Sequence, residues 1–463
     1  MSFPRYPEYK DSGVEWLGEV PGHWVVKRLR NVATLNPSKS EIAHLPRETE
    51  VSFLPMEAVG DDGNLNLDRT RPIGEVESGY TYFREEDVTI AKITPCFENG
   101  KGAVMRGLHN GHGFGTTELI VVRPSEGKTT SDYLHLLFTS HPFRLFGEAA
   151  MYGAGGQKRV PDDFVRDFAA GFPPLEEQTA IATFLDREMA KIDALVAEQE
   201  KLIALLQEKR QAVISHAVTK GLDPNVPMKD SGVEWLGEVP GHWEVRSISS
   251  ISTKITNGYV GPTRDILVDD GVRYLQSLHI KRNKIRFDQP YFVREDWSLD
   301  HRKSILEAGD VLIVQTGDIG QVAVIPPEFA GCNCHALIIV SPMREVLSGD
   351  WLSSVLNSDY GFHCLLSIQT GALHPHLNCG NVKFLVVPVP PRHEQDAINN
   401  YISERAKRFD DLIDESQVAI DLLQERRTAL ISAAVTGQID VRGLAGGAYA
   451  PDSIAASAFP ESA

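Results

Sequence analysis

The sequence predicts an α/β (α+β) protein. Two globular domains should be separated by a pair of long antiparallel coiled-coil helices, the whole forming an internal pseudo-twofold repeat. Three observations predict this. "KDSGVEWLGEVPGHW" occurs at Lys10–Trp24 and again, letter for letter, at Lys229–Trp243. Two further segments, Leu175–Gly221 and Arg392–Gln438, match at an offset of 217 residues and share Glu177-Gln178 with Glu394-Gln395 and Leu205–Glu208 with Leu422–Glu425. Between these constant pieces lie two dissimilar stretches of about 150 residues each. A period near 217 is far too long for a solenoid, so a whole module has been duplicated.

The expected order is a lead segment (1–24), a first variable domain (25–174), a first long helix (175–221), the repeated lead segment (222–243), a second variable domain (244–391), a second long helix (392–438) and a disordered tail (439–463). The two variable domains share a skeleton. "DVTIAKITPCFENGKGAVM" from Asp87 parallels "DVLIVQTGDIGQVAVI" from Asp310, each a β-branched run followed by a Gly-bearing turn and a second apolar strand. Each domain ends in Pro-Pro, at 173–174 and 390–391, a stiff boundary before a helix.

The helices follow from periodicity. Ile181, Leu185, Ile192, Leu195, Leu202, Leu206 and Val213 recur in steps of four and three, as do Ile398, Ile402, Phe409, Leu412, Ala419, Leu423 and Leu430. Glu188, Gln199 and Lys209 interrupt the first row; Arg405, Ser416 and Arg426 interrupt the second at matching places. Absence of Gly and Pro, with charges on the other faces, fits two helices paired in fixed register. Chain order makes the pair antiparallel, and about 40 residues per helix give a rod of about 60 Å. The tail is rich in Ala, Gly, Ser and Pro, hence the expected disorder.

Composition narrows the function. The chain has 463 residues, 42% hydrophobic and 24% charged, an ordinary globular balance for more than one core. No apolar run reaches membrane-span length, the start lacks a signal-peptide layout, and five scattered cysteines suit a reducing compartment. A cytoplasmic location is expected. The net charge of −17 means that any contact with nucleic acid must rest on local basic patches.

Catalytic signatures are missing. The Pro-Pro pairs read "FPPL", "IPPE" and "VPPR", without the Asn/Asp-Pro-Pro-aromatic loop of an amino-methyltransferase. "GAGGQKR" at Gly153–Arg159 lacks the ending of a phosphate loop, and no nuclease-like carboxylate cluster with a spaced Lys appears. Cys332, Cys334, His335, His363, Cys364, His374, His376 and Cys379 crowd together, but a single Cys-x-Cys without paired knuckles gives no metal site. Basic loops remain. Lys281, Arg282, Lys284 and Arg286 lie in "IKRNKIRF", and Gln157, Lys158 and Arg159 close a Gly-rich loop. Gln369, Thr370 and His374 sit where that loop would fall in the second half. These residue types suit phosphate and base-edge contacts.

The layout resembles the specificity subunit (HsdS) of type I restriction-modification enzymes. The resemblance rests on the duplicated lead segment, "PPLEEQ" and "PPRHEQ" opening the helices, and "LLQEKRQAVISHAVTKG" and "LLQERRTALISAAVTGQ" closing them. "TPCFENGK" (Thr94–Lys101) and "GFGTTELIVVRP" (Gly113–Pro124) also look like phrases of that family's target recognition domains. It implies that each variable domain reads one half of a bipartite, asymmetric sequence in double-stranded DNA, as part of phage defence. It implies helices that set the unread spacer, and constant parts that dock two modification (methyltransferase) subunits and restriction/translocase subunits. The chain would then have no catalytic site and no cofactor of its own, its partners using S-adenosylmethionine, ATP and Mg. The rival readings are a fused restriction-methylation enzyme, and a two-headed scaffold or regulator that binds protein rather than DNA.

Overall fold

The computed structural model describes residues 3–154, 156–281, 283–371 and 375–444. Two compact units emerge: residues 1–198 with 419–463, and residues 199–418. Each holds one variable domain, the start of one long helix and the end of the other. The seven-part division expected from sequence therefore differs from the packing units, because each helix contributes to both cores.

The core of the first variable domain is an antiparallel sheet of β1 (Ala33–Leu35), β2 (Val88–Ala91), β3 (Gly102–Val104) and β4 (Leu119–Pro124), in the order β1-β4-β2-β3. Val88, Ile90, Ile120 and Val122 from this sheet pack onto Tyr133, Leu134 and Leu137 of the helix Ser131–Thr139. A second sheet contains a parallel pair, Phe53 and Leu54 against Phe114 and Gly115. The strands Val25–Arg28 and Ala169–Phe172 pair antiparallel and close the domain just before its helix. That helix, α1, spans Leu175–Lys220.

The second variable domain repeats this plan. β5 (Ser252–Asn257), β6 (Val311–Val314), β7 (Val322–Val324) and β8 (Leu337–Pro342) form a sheet in the order β5-β8-β6-β7. A parallel pair recurs as Tyr274 and Leu275 against Asn333 and Cys334, and Glu244–Ser247 closes against Val386–Val389. Its helix, α2, spans Arg392–Val435. Both long helices end within three residues of the bounds expected from sequence.

The duplicated lead segment folds as a hairpin both times, Tyr9–Asp11 with Glu19–Pro21 and Met228–Asp230 with Glu238–Pro240. Its turn needs Gly13 and Gly18 at φ 68° and 63°, and Gly232 and Gly237 at 71° and 64°, a region costly for residues with a Cβ. The hairpin then docks on the start of a long helix. Glu177 of α1 accepts hydrogen bonds from Trp24 Nε1 (2.8 Å) and Tyr6 Oη (2.7 Å), and its other oxygen lies 2.7 Å from His23 Nε2. In the second unit Glu394 receives Trp243 Nε1 at 2.9 Å and His242 Nε2 at 2.8 Å. The following glutamine ties the helix to its domain. Gln178 donates to the Pro173 and Lys128 carbonyls and accepts from Thr129 and Thr130, while Gln395 donates to Pro390 and Val346 and accepts from Ser348. The shared Glu-Gln is thus a structural clamp.

Each clamp also receives the far end of the other helix. Gly437, at φ 74°, lies so close to Pro21 and Trp24 that a Cβ would meet Pro21 at 2.3 Å, and Gly221, at φ 75°, lies against Trp243. The Ser432 hydroxyl accepts from the His141 amide in one unit, and Ser215 accepts from the Asp359 amide in the other. In the first unit Ile181, Leu185, Met189 and Ile192 share a core with Leu430, Ile431, Ala434 and Val435. In the second, Ile214, Ala217 and Val218 share one with Ile398 and Ile402. The start of one helix therefore lies against the end of the other, which is the antiparallel order expected.

The register of the seam differs from the sequence reading. The positions through Ile192, Leu206, Phe409, Leu423 and Leu430 lie on it, and Val213 is half-buried there. Leu195, Leu202 and Leu412, however, are 45%, 42% and 45% exposed, whereas Val196, Ile203 and Ile413 beside them are half-buried. The cause is a pair of consecutive four-residue steps, Ile181–Leu185–Met189 and Ile398–Ile402–Ala406. This stutter moves the intervening row by one residue. Polar seam positions then pair by charge: Asp193 with Arg427 at 2.6 Å in the first unit, Arg210 with Asp410 at 3.0 Å in the second. The tail also differs in part. Ile439, Val441 and Leu444 pack into the first core and the Asp440 amide donates to the Pro4 carbonyl, so residues 439–444 are ordered; the remainder lies outside the described residues.

Candidate functional site

The basic hairpin of the second domain is the first candidate. Ile280–Lys281 and Lys284–Ile285 pair antiparallel around Asn283, which takes φ 60°. Asn283 accepts a hydrogen bond from Ser353, and Lys284 Nζ lies 3.6 Å from Asp410 on α2. The hairpin therefore leans on the helix Gly349–Leu356 through Asn283 and on α2 through Lys284. Lys281 and Arg286 are exposed, and Arg282 lies outside the described residues. The first domain has a counterpart around the Val59–Leu65 bridge, with an acidic tip. There the Arg427 charge contributes to holding the Asp62 carboxyl below its ordinary range, after the stronger effect of the Asn64 amide.

The Gly-rich loop is the second candidate. Tyr152 and Arg159 exchange backbone hydrogen bonds at 3.1 and 2.9 Å, leaving Gln157 and Lys158 exposed between them. The Val160 amide then donates to the Lys92 carbonyl at the end of β2, 2.8 Å away. Arg159 reaches Glu118 with two bonds, Nε at 2.9 Å and Nη2 at 2.8 Å. These bonds, with the charges of Arg159 and Lys92, hold the Glu118 carboxyl below its usual range. An open cleft beside this cluster is lined by Asn36, Lys39, Tyr80, Lys92 and Thr117.

The second domain builds the same loop from other residues. Thr370 and His376 exchange backbone bonds at 3.0 and 2.8 Å, and the Leu377 amide donates to the Gln315 carbonyl at 3.0 Å, at the end of β6. Thr370 is exposed, Gln369 is half-buried, and His374 lies outside the described residues. Strand register confirms the correspondence, because Leu119 pairs with Ala91 as Leu337 pairs with Val314. Lys92, Glu118 and Arg159 thus occupy the places of Gln315, Ala336 and His376.

Sequence reading found Arg159 but missed Lys92, Glu118, Gln315, Ala336 and His376. A signal was present: Lys92 and Gln315 each fall five residues after the aligned Asp-Val aspartates, Asp87 and Asp310. The cysteines have another role. Cys332 and Cys334 are buried in a core cluster, where burial pushes the Cys332 thiol up to about 11. Among the described residues no group of three or more His, Cys, Asp or Glu is placed to hold a metal ion. Nor is any helix among them long and apolar enough to cross a membrane.

Residues 21–204 match the family described as the type I restriction modification DNA specificity domain. The type I restriction enzyme EcoEI specificity subunit of Escherichia coli is 40% identical over 189 residues, which is 40% of this chain and 31% of that protein. The chain thus aligns with about a third of the length of this curated relative. The MjaVIII specificity subunit of Methanocaldococcus jannaschii is 22% identical over 332 residues, 70% of this chain and 74% of that one. Among solved structures, a chain from a study of complex assembly and conformational transition in the type I R-M system shares the fold at a TM-score of 0.71 and 16% identity, covering 90% of this chain and 98% of that one. The HsdS subunit of Thermoanaerobacter tengcongensis shares it at 0.52 and 17%, with the same coverage.

Proposed function

We propose that the chain is a type I restriction-modification specificity subunit, as the match of residues 21–204 to that DNA specificity domain supports, and that it binds double-stranded DNA and recognises a bipartite, asymmetric sequence. Each variable domain reads one half-word, and the paired helices set the spacer between them. The observation that carries this reading is the repetition of one backbone plan with different loop side chains: Lys92, Glu118 and Arg159 in one domain, Gln315, Ala336 and His376 in the other. A fold conserved twice with altered loops is what reading two different words on one scaffold requires.

The constant parts dock two modification subunits and, with them, restriction/translocase subunits. Methyl transfer and cleavage belong to those partners, which use S-adenosylmethionine, ATP and Mg; this chain contributes the address and acts in the cytoplasm. Its charge of −17 fits such a division of labour, since partners then supply positive potential that this chain lacks.

The test is co-expression with the modification subunit and mapping of methylated adenines across a genome by long-read sequencing. One gapped two-part motif is expected. An intact complex that leaves DNA unmodified would favour the two-headed scaffold.

A further inference from the structure

We infer that the three positions at the ends of the central strands determine which bases each head reads, with Lys92, Glu118 and Arg159 selecting guanine in one half-word and Gln315, beside His376, selecting adenine in the other. The inference rests on the DNA-reading function proposed above and names its specificity residues.

Backbone and side chain part company here. Across the two heads the register of the central strands and the cross-loop bonds are kept: Val160 and Leu377 donate to the strand-end carbonyls of Lys92 and Gln315 at 2.8 and 3.0 Å. All three side chains brought together by those bonds change. A structural role would preserve side chains along with the backbone, as it does at the Glu-Gln clamp. A reading role keeps the platform and replaces what it presents.

The chemistry of each set is specific. Glu118 engages Nε and Nη2 of Arg159 and fixes the guanidinium plane. The outer edge is left to other acceptors, Nη1 having only a 3.5 Å contact with the Gln157 carbonyl. A guanidinium held this way matches the paired N7 and O6 acceptors of guanine. In the second head Gln315 carries a buried Oε1 without a hydrogen-bond partner among the described residues, and Asn257 Oδ1, at the same end of the sheet, is in the same state. Buried acceptors left unsatisfied are costly and rare. Gln315 is itself only half-buried, and its carboxamide, turned outward, donates to N7 and accepts from the N6 amino group of adenine, which meets that need.

The experiment uses the full chain assembled with its modification subunits and reads the methylated motif. Arg159→Ala should lower the preference for guanine at one position of one half-word about 5- to 150-fold, the discrimination of one bidentate contact. Gln315→Leu should relax one adenine in the other half-word by a similar factor. Arg159→Lys, which keeps the charge but not the fork, should relax the same guanine, and it decides the matter if Arg159→Ala abolishes assembly. Half-words unchanged by these variants, or relaxed on both sides by one of them, would overturn the inference while leaving the gapped motif intact. Failure of the unaltered complex to methylate any gapped motif would instead overturn the function on which it rests.

Discussion

At the scale of single residues, the clamp glutamates carry more than their position suggests. Glu177 is 6% exposed and satisfies Trp24, Tyr6 and His23, whereas Glu394 is 25% exposed and, among the described residues, satisfies Trp243 and His242. Removing a buried charged acceptor strands its donors, at a cost of about 3 kcal/mol or more. Glu177→Ala should therefore lower the unfolding temperature of its unit clearly more than Glu394→Ala does in the other, as read by calorimetry of the two single variants. His135 gives a pH dependence. Burial pushes its pKa from 6.5 down to about 4, and its Nδ1 has no hydrogen-bond partner among the described residues. The unfolded chain takes up a proton near 6.5 while the folded one resists until about 4. Stability of the first unit should then fall as pH drops through that window, by about 2–3 kcal/mol. His135→Leu should flatten this part of the pH profile; an unchanged slope would refute the assignment.

At the scale of elements, the seam of the long helices shows where pattern reading works and where it slips. Alternating steps of four and three located the rows through Ile192, Leu206, Leu423 and Leu430, because a heptad is visible in residue type alone. The stutter at Met189 and Ala406 was not legible, since Glu188 and Arg405 looked like ordinary polar interruptions. Only packing shows that Val196 and Ile203, rather than Leu195 and Leu202, face inward. Ile203→Ala should cost about 1–2 kcal/mol, short of a fully buried aliphatic because the site is half-buried. Leu202→Ala should stay within about 0.5 kcal/mol. The reverse order in denaturant unfolding would restore the other register. The lead hairpin makes a related point. Trp16 stacks on Phe168 at 5.0 Å, while its identical copy Trp235 is 59% exposed. Identical sequence fixed the hairpin in both places, but the environment of each tryptophan came from the neighbouring variable domain.

At the scale of the whole molecule, each clamp unites a lead hairpin, the start of one helix and the end of the other. Gly221 and Gly437 permit the close approach at the two junctions, and Asp193–Arg427 and Arg210–Asp410 repeat one ion pair with its partners exchanged. If the helices set the spacer, deleting one heptad from each, between the clamps and in register, should shorten the unread gap by up to about 3 base pairs. Seven residues span about 10 Å, and each base pair rises about 3.4 Å. The two half-words should persist in the methylated motif. Altered half-words with an unchanged gap would separate the helices from the spacing.

The sequence by itself determined the duplication, the two long helices, the Pro-Pro boundaries and the family resemblance, because repeats and heptads are written in residue order. Tertiary structure decided the rest. It turned the basic "IKRNKIRF" into a hairpin braced on Asp410, and it gathered Lys92, Glu118 and Arg159 from segments up to 67 residues apart. The physical reason is that local preference fixes an element, whereas strand register and loop closure fix which distant side chains meet. A charge reads the same in sequence whether it meets solvent, a ligand or an opposite charge on the neighbouring helix.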